Sequence, residues 1–236
     1  MIVGDPNEWK GRFITLDERL LSCILRLWPA CVALLPGQPD EDTVTINLVA
    51  LLSNDAVVRR ICYFVIYQHE PFGIHPNGAK FSKGKIDFAV VLDQERERYV
   101  AYECKRLNVI HDGARSSLAT RYVKEGMMRF LTEQYAEGLP IGCMLAYVMD
   151  GDLPFSLAQV TAAIDAHKAP LALINGATQG QAIAGIERFS TLHKRANQTT
   201  IELRHVLLPF LVAGAQAGAS GQATEATEAH NPNRTP

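Results

Sequence analysis

The chain has 236 residues, 47% of them hydrophobic, which is enough to bury one sizeable core and points to a single domain with embellishments. A net charge of −2 gives no overall sign of a polyanion partner, and five scattered cysteines lack the close pairs of a zinc site or a disulfide framework. The start, Met1-Ile2-Val3-Gly4-Asp5-Pro6, is neither basic nor long and apolar, and the apolar stretch Leu20 to Leu35 is broken by Arg26 and Pro29. A cytoplasmic location with reduced, mostly buried thiols and no membrane contact is the expectation.

Taken in order, the pattern predicts a helix from about Leu16 to Leu27, ended by Pro29, as part of an N-terminal helical extension over 1–35. The turn Pro36-Gly37-Gln38-Pro39 is followed by the acids Asp40, Glu41 and Asp42 at the start of a second helix, where the macrodipole favours negative charge. Val44, Leu48, Leu51 and Leu52 recur on its buried stripe. Glu41, three residues before Val44, is the acid expected to point inward, although all three could simply cap the helix.

Arg59 to Gln68 reads as a helix end running into a strand, and Glu70 to Gly84 as a loop. Lys85 to Leu92 and Val100 to Lys105 are β-rich and flank the polar tip Asp93 to Arg98, a predicted hairpin. If that hairpin is symmetric about Glu95, pairing positions sum to 190 and Asp87 falls opposite Glu103. Side chains at i and i+2 of a strand share a face, so Asp87, Glu103 and Lys105 converge on one patch. Two carboxylates so close are costly unless a cation lies between them. Hard oxygen donors with room for water suit Mg²⁺ or Mn²⁺. A nearby Lys105 could orient or deprotonate water, or neutralise charge developing on a phosphate. An ordinary hairpin carrying a Glu–Lys surface pair is the alternative, but the flanking positions are apolar on both faces, as in a strand covered on both sides.

Asp87 followed by Glu103-Cys104-Lys105, with the continuations Tyr102 to Asn108 and Tyr122 to Phe130, resembles the PD-(D/E)xK, or restriction-endonuclease-like, nuclease superfamily. The likeness is to a bacterial branch met among defence-type proteins and covers about residues 40 to 150. Ile86 stands where the name-giving proline would be. The resemblance implies an α/β domain over 36–212, with a mixed central β-sheet flanked by helices and a core of helix, three-stranded meander, helix and strand. It implies a Mg²⁺- or Mn²⁺-dependent endonuclease hydrolysing DNA, in restriction or phage defence, with Asp87, Glu103 and Lys105 catalytic. Asp87, Glu103, the Cys104 main-chain carbonyl and Glu41 would hold the metal. A homodimer or a partner protein could supply targeting. A catalytically silent nucleic-acid-binding or scaffold subunit of the same fold is the other reading.

Between Arg59 and Arg129 there are thirteen Lys or Arg against eight Asp or Glu. Lys83, Lys85, Arg106 and Arg129 are the candidate nucleic-acid contacts in that window. Leu118 to Tyr135 reads as a helix whose apolar stripe packs on the sheet. Ile141 to Met149 reads as a buried strand, parallel to its neighbour because a helix makes the crossover. Phe155 to His167 is a further predicted helix; Ile183 to Leu192 and Ile201 to Leu208 are predicted strands. Ser190, His193 and Arg195 form a polar cluster that could serve a different hydrolase, but no acid partner or elbow motif accompanies them. From about Ala213 the Ala, Gly, Ser, Thr, Gln and Glu composition predicts a disordered tail.

Overall fold

A computed structural model of the chain describes residues 6–211; the expected tail over 213–236 lies outside them. The fold is built on a seven-stranded mixed sheet with helices on both faces. Helices α1 (Pro6–Ala33), α2 (Glu41–Asn54) and the short α3 (Val58–Ile61) lead into β1 (Phe64–His69). A small outlying hairpin, β2 (Phe72–Ile74) and β3 (Lys80–Ser82), precedes β4 (Ile86–Val91) and β5 (Tyr99–Leu107). A second small hairpin, β6 (Val109–His111) and β7 (Ala114–Ser116), is followed by α4 (Ala119–Arg121), a π-helical segment (Tyr122–Met127) and α5 (Met128–Leu131). Then come β8 (Ile141–Val148), α6 (Leu153–Ala166), β9 (Leu173–Gln179), β10 (Glu187–Lys194) and β11 (Thr200–Pro209).

The strand order is β1-β4-β5-β8-β11-β10-β9. β1, β4 and β5 form an antiparallel meander, and β5, β8 and β11 run parallel. The parallel partnership of β5 and β8 follows from the helical crossover between them, and β8, buried along its whole length, is the fully apolar run that a central strand requires. β9 was not foreseen: its residues are almost all exposed, and pairing with β10 alone makes it a strand. The hairpin β2–β3 likewise falls in a stretch expected to be a loop.

Alternation along the strands assigns the two faces. Tyr102 and Cys143 turn toward α1, where both meet Asp17, and Tyr147 toward α1 and α2, meeting Trp28 and Thr45. Glu103 and Met144 turn toward the π segment, which approaches closely at Gly126: a Cβ there would lie 2.6 Å from Met144 Cε and 3.6 Å from Glu103 Cγ.

Pro29 does not end α1, which runs on to Ala33. The lost backbone hydrogen bond is offset by burial beyond the proline. Trp28 stacks on Tyr147 with ring centroids 5.4 Å apart and donates its indole N–H to the Pro209 carbonyl at 2.8 Å, and Cys31 and Val32 are buried. The predicted helix from Leu118 to Tyr135 is shorter, ending at Leu131, and contains the π turn. Its stripe of Tyr122, Val123, Met127 and Phe130 is buried as expected.

At the crossover, a Cβ on Gly142 would lie 2.5 Å from the Phe130 ring and 3.2 Å from Leu203. Gly142→Ala is therefore expected to destabilise the fold by about 1–3 kcal/mol through overpacking. A urea midpoint equal to wild type would show that Phe130 can move aside.

Candidate active site

The β4–β5 ladder pairs Phe88 with Tyr102, Ala89 with Ala101, Val90 with Val100 and Val91 with Tyr99, the register in which Asp87 falls opposite Glu103. Beyond Phe88 and Tyr102 no further pair forms, while β5 continues to Leu107 against β8. The edge of β5 beyond that point therefore needs other partners for its backbone groups. Asp87 Oδ2 accepts from the Cys104 N–H at 2.6 Å, and Glu41 Oε2 accepts from the Arg106 N–H at 3.0 Å. Two carboxylates thus stand where the neighbouring strand would have been.

Glu41 arrives there because Asp40 caps α2, accepting from the Thr43 N–H at 2.6 Å, which leaves the next residue aimed at the strand. Asp42 is exposed. Lys105 is the hub. Its Nζ lies 2.8 Å from Glu41 Oε1, 2.8 Å from Glu103 Oε1 and 2.8 Å from the Cys104 carbonyl oxygen.

Glu103 is 0% exposed. From the opposite helical layer Arg129 brings Nη1 within 3.1 Å of Oε1 and 3.3 Å of Oε2. Arg129 is itself held by Tyr135, whose hydroxyl it reaches at 2.6 Å and which donates in turn to the Lys85 carbonyl. Glu103 Oε1 is thus flanked by two cations, Lys105 Nζ at 2.8 Å and Arg129 Nη1 at 3.1 Å. Among the described residues Asp87 Oδ1 takes no hydrogen bond.

Burial pushes the Asp87 carboxyl up to about 6, with Lys105 and the Cys104 N–H pulling the other way. Burial, reinforced by the charge of Asp87, pushes Glu103 up to about 8. Burial also opposes charge on Lys105, but Glu103, Glu41 and Asp87 outweigh it and hold the ammonium above the ordinary lysine range.

Both carboxyls thus bind protons more tightly folded than unfolded. Stability of the metal-free protein should fall as pH rises from 3.8 to about 6 for Asp87 and from 4.5 to about 8 for Glu103. The expected result is a lower thermal midpoint at the top of that window than at its base, with the difference reduced in Glu103→Gln. Equal pH profiles for the variant and wild type would show that Glu103 does not titrate there.

Asp87, whose Oδ1 takes no hydrogen bond among the described residues, Glu103 and the Cys104 carbonyl are the oxygens that could hold a cation, with the Lys105 ammonium now standing against the last two. Among the described residues no three His, Cys, Asp or Glu side chains group as a metal cage. A cleft of about 250 Å³ opens beside the hub, lined by Glu41, Lys105, Arg106 and Arg121 among others. A cavity of about 340 Å³ near Arg59 and Tyr63 gathers no comparable chemistry.

The candidate phosphate contacts fare unequally. Arg106 lines the cleft while donating to the Pro39 carbonyl at 2.9 Å, and Lys85 is exposed. Lys83 pairs with Glu137 at 2.5 Å, and Arg129 is engaged by Glu103. Tyr135 was missed as a site residue; its place in an apolar stripe hid its hydroxyl.

Ser190, His193 and Arg195 do not form a site. His193 is buried between Thr191 Oγ1 at 2.7 Å and the Leu171 carbonyl at 2.9 Å, and burial pushes its pKa down. Arg195 is buried and donates to the carbonyls of Phe130, Leu139 and Ala136 at 3.1, 2.9 and 2.7 Å, tying down the chain after α5.

Among the described residues no helix is long and apolar enough to cross a membrane. No protein-family model, curated protein or solved structure matches the chain.

Proposed function

We propose that the chain is a Mg²⁺- or Mn²⁺-dependent nuclease that hydrolyses DNA phosphodiester bonds, with a restriction-endonuclease-like core. The observation that carries this reading is the gathering of Asp87, Glu103, Glu41 and Lys105 with the Cys104 main chain at the edge of β5 that β4 leaves. Asp87, Glu103 and the Cys104 carbonyl would hold the ion, and Glu41 would support it through Lys105. When bound, the ion supplies an activated water and charge stabilisation at the phosphate. Lys105, held as a cation by its acidic neighbours, would position a water and offset charge on the phosphate oxygens. Glu41 keeps Lys105 aimed into the cleft, and Arg106 meets the phosphate backbone there. The role in restriction or phage defence rests on the resemblance alone.

The test is nicking of supercoiled plasmid and degradation of single-stranded circles with Mg²⁺ or Mn²⁺. Asp87→Ala is expected to reduce cleavage by about 10²-fold or more. Cleavage equal to wild type would move the chemistry elsewhere. The complete burial of Glu103 between Lys105 and Arg129 favours a second reading, a catalytically silent binding subunit in which the same charges form a closed structural network. Under that reading Mg²⁺ and Mn²⁺ leave the thermal midpoint unchanged, whereas a bound ion raises it in wild type and not in Asp87→Ala.

A further inference from the structure

The β2–β3 hairpin has two unlike faces. Phe72 pairs with Ser82, Gly73 with Phe81 and Ile74 with Lys80, so Phe72, Ile74, Lys80 and Ser82 share one face and Gly73 and Phe81 the other. On the second face Phe81, 40% exposed, packs on its own hairpin. The Phe81 ring lies across Gly73, where any Cβ would collide with it, and meets the His75 ring at 4.5 Å between centroids. The first face is open: Phe72 is 61% and Ile74 70% exposed, with Lys80 directly across from Ile74.

This hairpin is also rooted in the carboxylate site. It is inserted between β1 and β4 where His69 pairs with Ile86, the residue before Asp87. At its base Gly84 packs on the end of the Gln134 side chain, and the Lys85 carbonyl accepts from Tyr135, which holds Arg129 against Glu103. Its tip at Asn77 is ten residues from Asp87 and lies within about 34 Å of it even if the chain were fully extended.

We propose that the open face of this hairpin binds single-stranded DNA beside the nuclease site, with bases against Phe72 and Ile74 and the backbone on Lys80. An exposed aromatic and an exposed aliphatic side chain, with Lys80 across from the second, match the stacking-plus-phosphate chemistry of single-strand binders. Lys80 and Lys85 are exposed and the segment from Phe72 to Lys85 has no acidic residue, which is complementary to a polyanion; Lys83 is held by Glu137, which with Glu97 lines the cleft beside Phe72 and bounds the surface on that side. Paired bases offer their faces only where a duplex is opened, so the same surface favours single strands over intact duplex.

The proposal rests on the nuclease reading of the neighbouring site, and binding in EDTA separates the two. The full chain is titrated against a fluorescein-labelled oligodeoxythymidine of about 16 nucleotides and against a duplex of equal length. Phe72→Ala/Ile74→Ala should weaken single-strand binding about five- to hundredfold, with unchanged circular dichroism and little effect on the duplex. Lys80→Ala should lower the salt slope of log affinity by about 0.7. A Phe72→Trp variant should show fluorescence quenched on adding the oligonucleotide beyond any quenching of wild type. Wild-type affinity in the double variant overturns the proposal. So does a loss of self-association in that variant with DNA affinity intact, which would make the face an interface between copies of the chain. Loss of cleavage in Asp87→Ala, measured separately, reports on the nuclease site and leaves this binding result independent.

Discussion

Lys105→Ala is expected to abolish the proposed metal-dependent cleavage and to destabilise the protein by about 3–5 kcal/mol, because it removes the one cation among the described residues that touches Glu41, Glu103 and the Cys104 carbonyl together. Glu103 would keep Arg129, but Glu41 would lose its ion pair and the Cys104 carbonyl its side-chain donor. A double replacement separates the two effects. Lys105→Met/Glu103→Gln removes both charges while preserving volume, so stability should return toward wild type whereas cleavage stays lost. The contrast is read from urea midpoints and plasmid nicking on the same preparations. Cleavage retained in Lys105→Ala at wild-type rate would sink the assigned role of Lys105. Stability retained in that variant would mean that water reaches Glu103 once the lysine is gone.

The part of this site that was readable in advance was the part set by local chemistry. Asp93 to Arg98 is a polar tip between two β-rich runs, and the turn closes where Leu92 N–H donates to the Arg98 carbonyl at 2.8 Å, which fixes a register symmetric about residue 95. Glu41 was singled out because one helical turn separates it from buried Val44, and it is this acid that reaches Lys105. What could not be read depends on distant chain. Arg195 reads as a member of a polar cluster with Ser190 and His193 because its three carbonyl partners lie 56 to 65 residues away. Pro29 looked like a helix stop because the stacking of Trp28 on Tyr147 is invisible to local pattern. The π turn inserts a residue without disturbing which side chains are apolar, so periodicity passes over it, yet it lies where Gly126 packs beside Glu103. Composition gave no hint of β9, a polar edge that only β10 makes into a strand.

On the opposite face of the sheet, Asp17→Ala is expected to cost about 3–5 kcal/mol while leaving the cleavage chemistry intact. Asp17, in the middle of α1, is almost wholly buried. Its Oδ1 accepts from the Tyr102 hydroxyl at 2.7 Å and the Cys143 thiol at 3.2 Å, and its Oδ2 from Arg204 Nε at 2.6 Å. One carboxylate thus joins α1 to three adjacent strands, β5, β8 and β11. Burial, with Asp17 beside them, pushes the Tyr102 hydroxyl and the Cys143 thiol well above their ordinary values, so both remain proton donors. Removing the carboxylate strands two buried donors and leaves Arg204, among the described residues, with the ion pairs to Glu18 and Glu202 at 3.3 and 3.4 Å. Asp17→Asn restores an acceptor but not the charge, so its urea midpoint should fall between those of Asp17→Ala and wild type. Tyr102 and Glu103 are neighbours on one strand with side chains on opposite faces. The variant folded at low temperature should therefore still nick plasmid at the wild-type rate. A specific loss of cleavage in correctly folded Asp17→Ala would show instead that α1 positions the carboxylate site through β5.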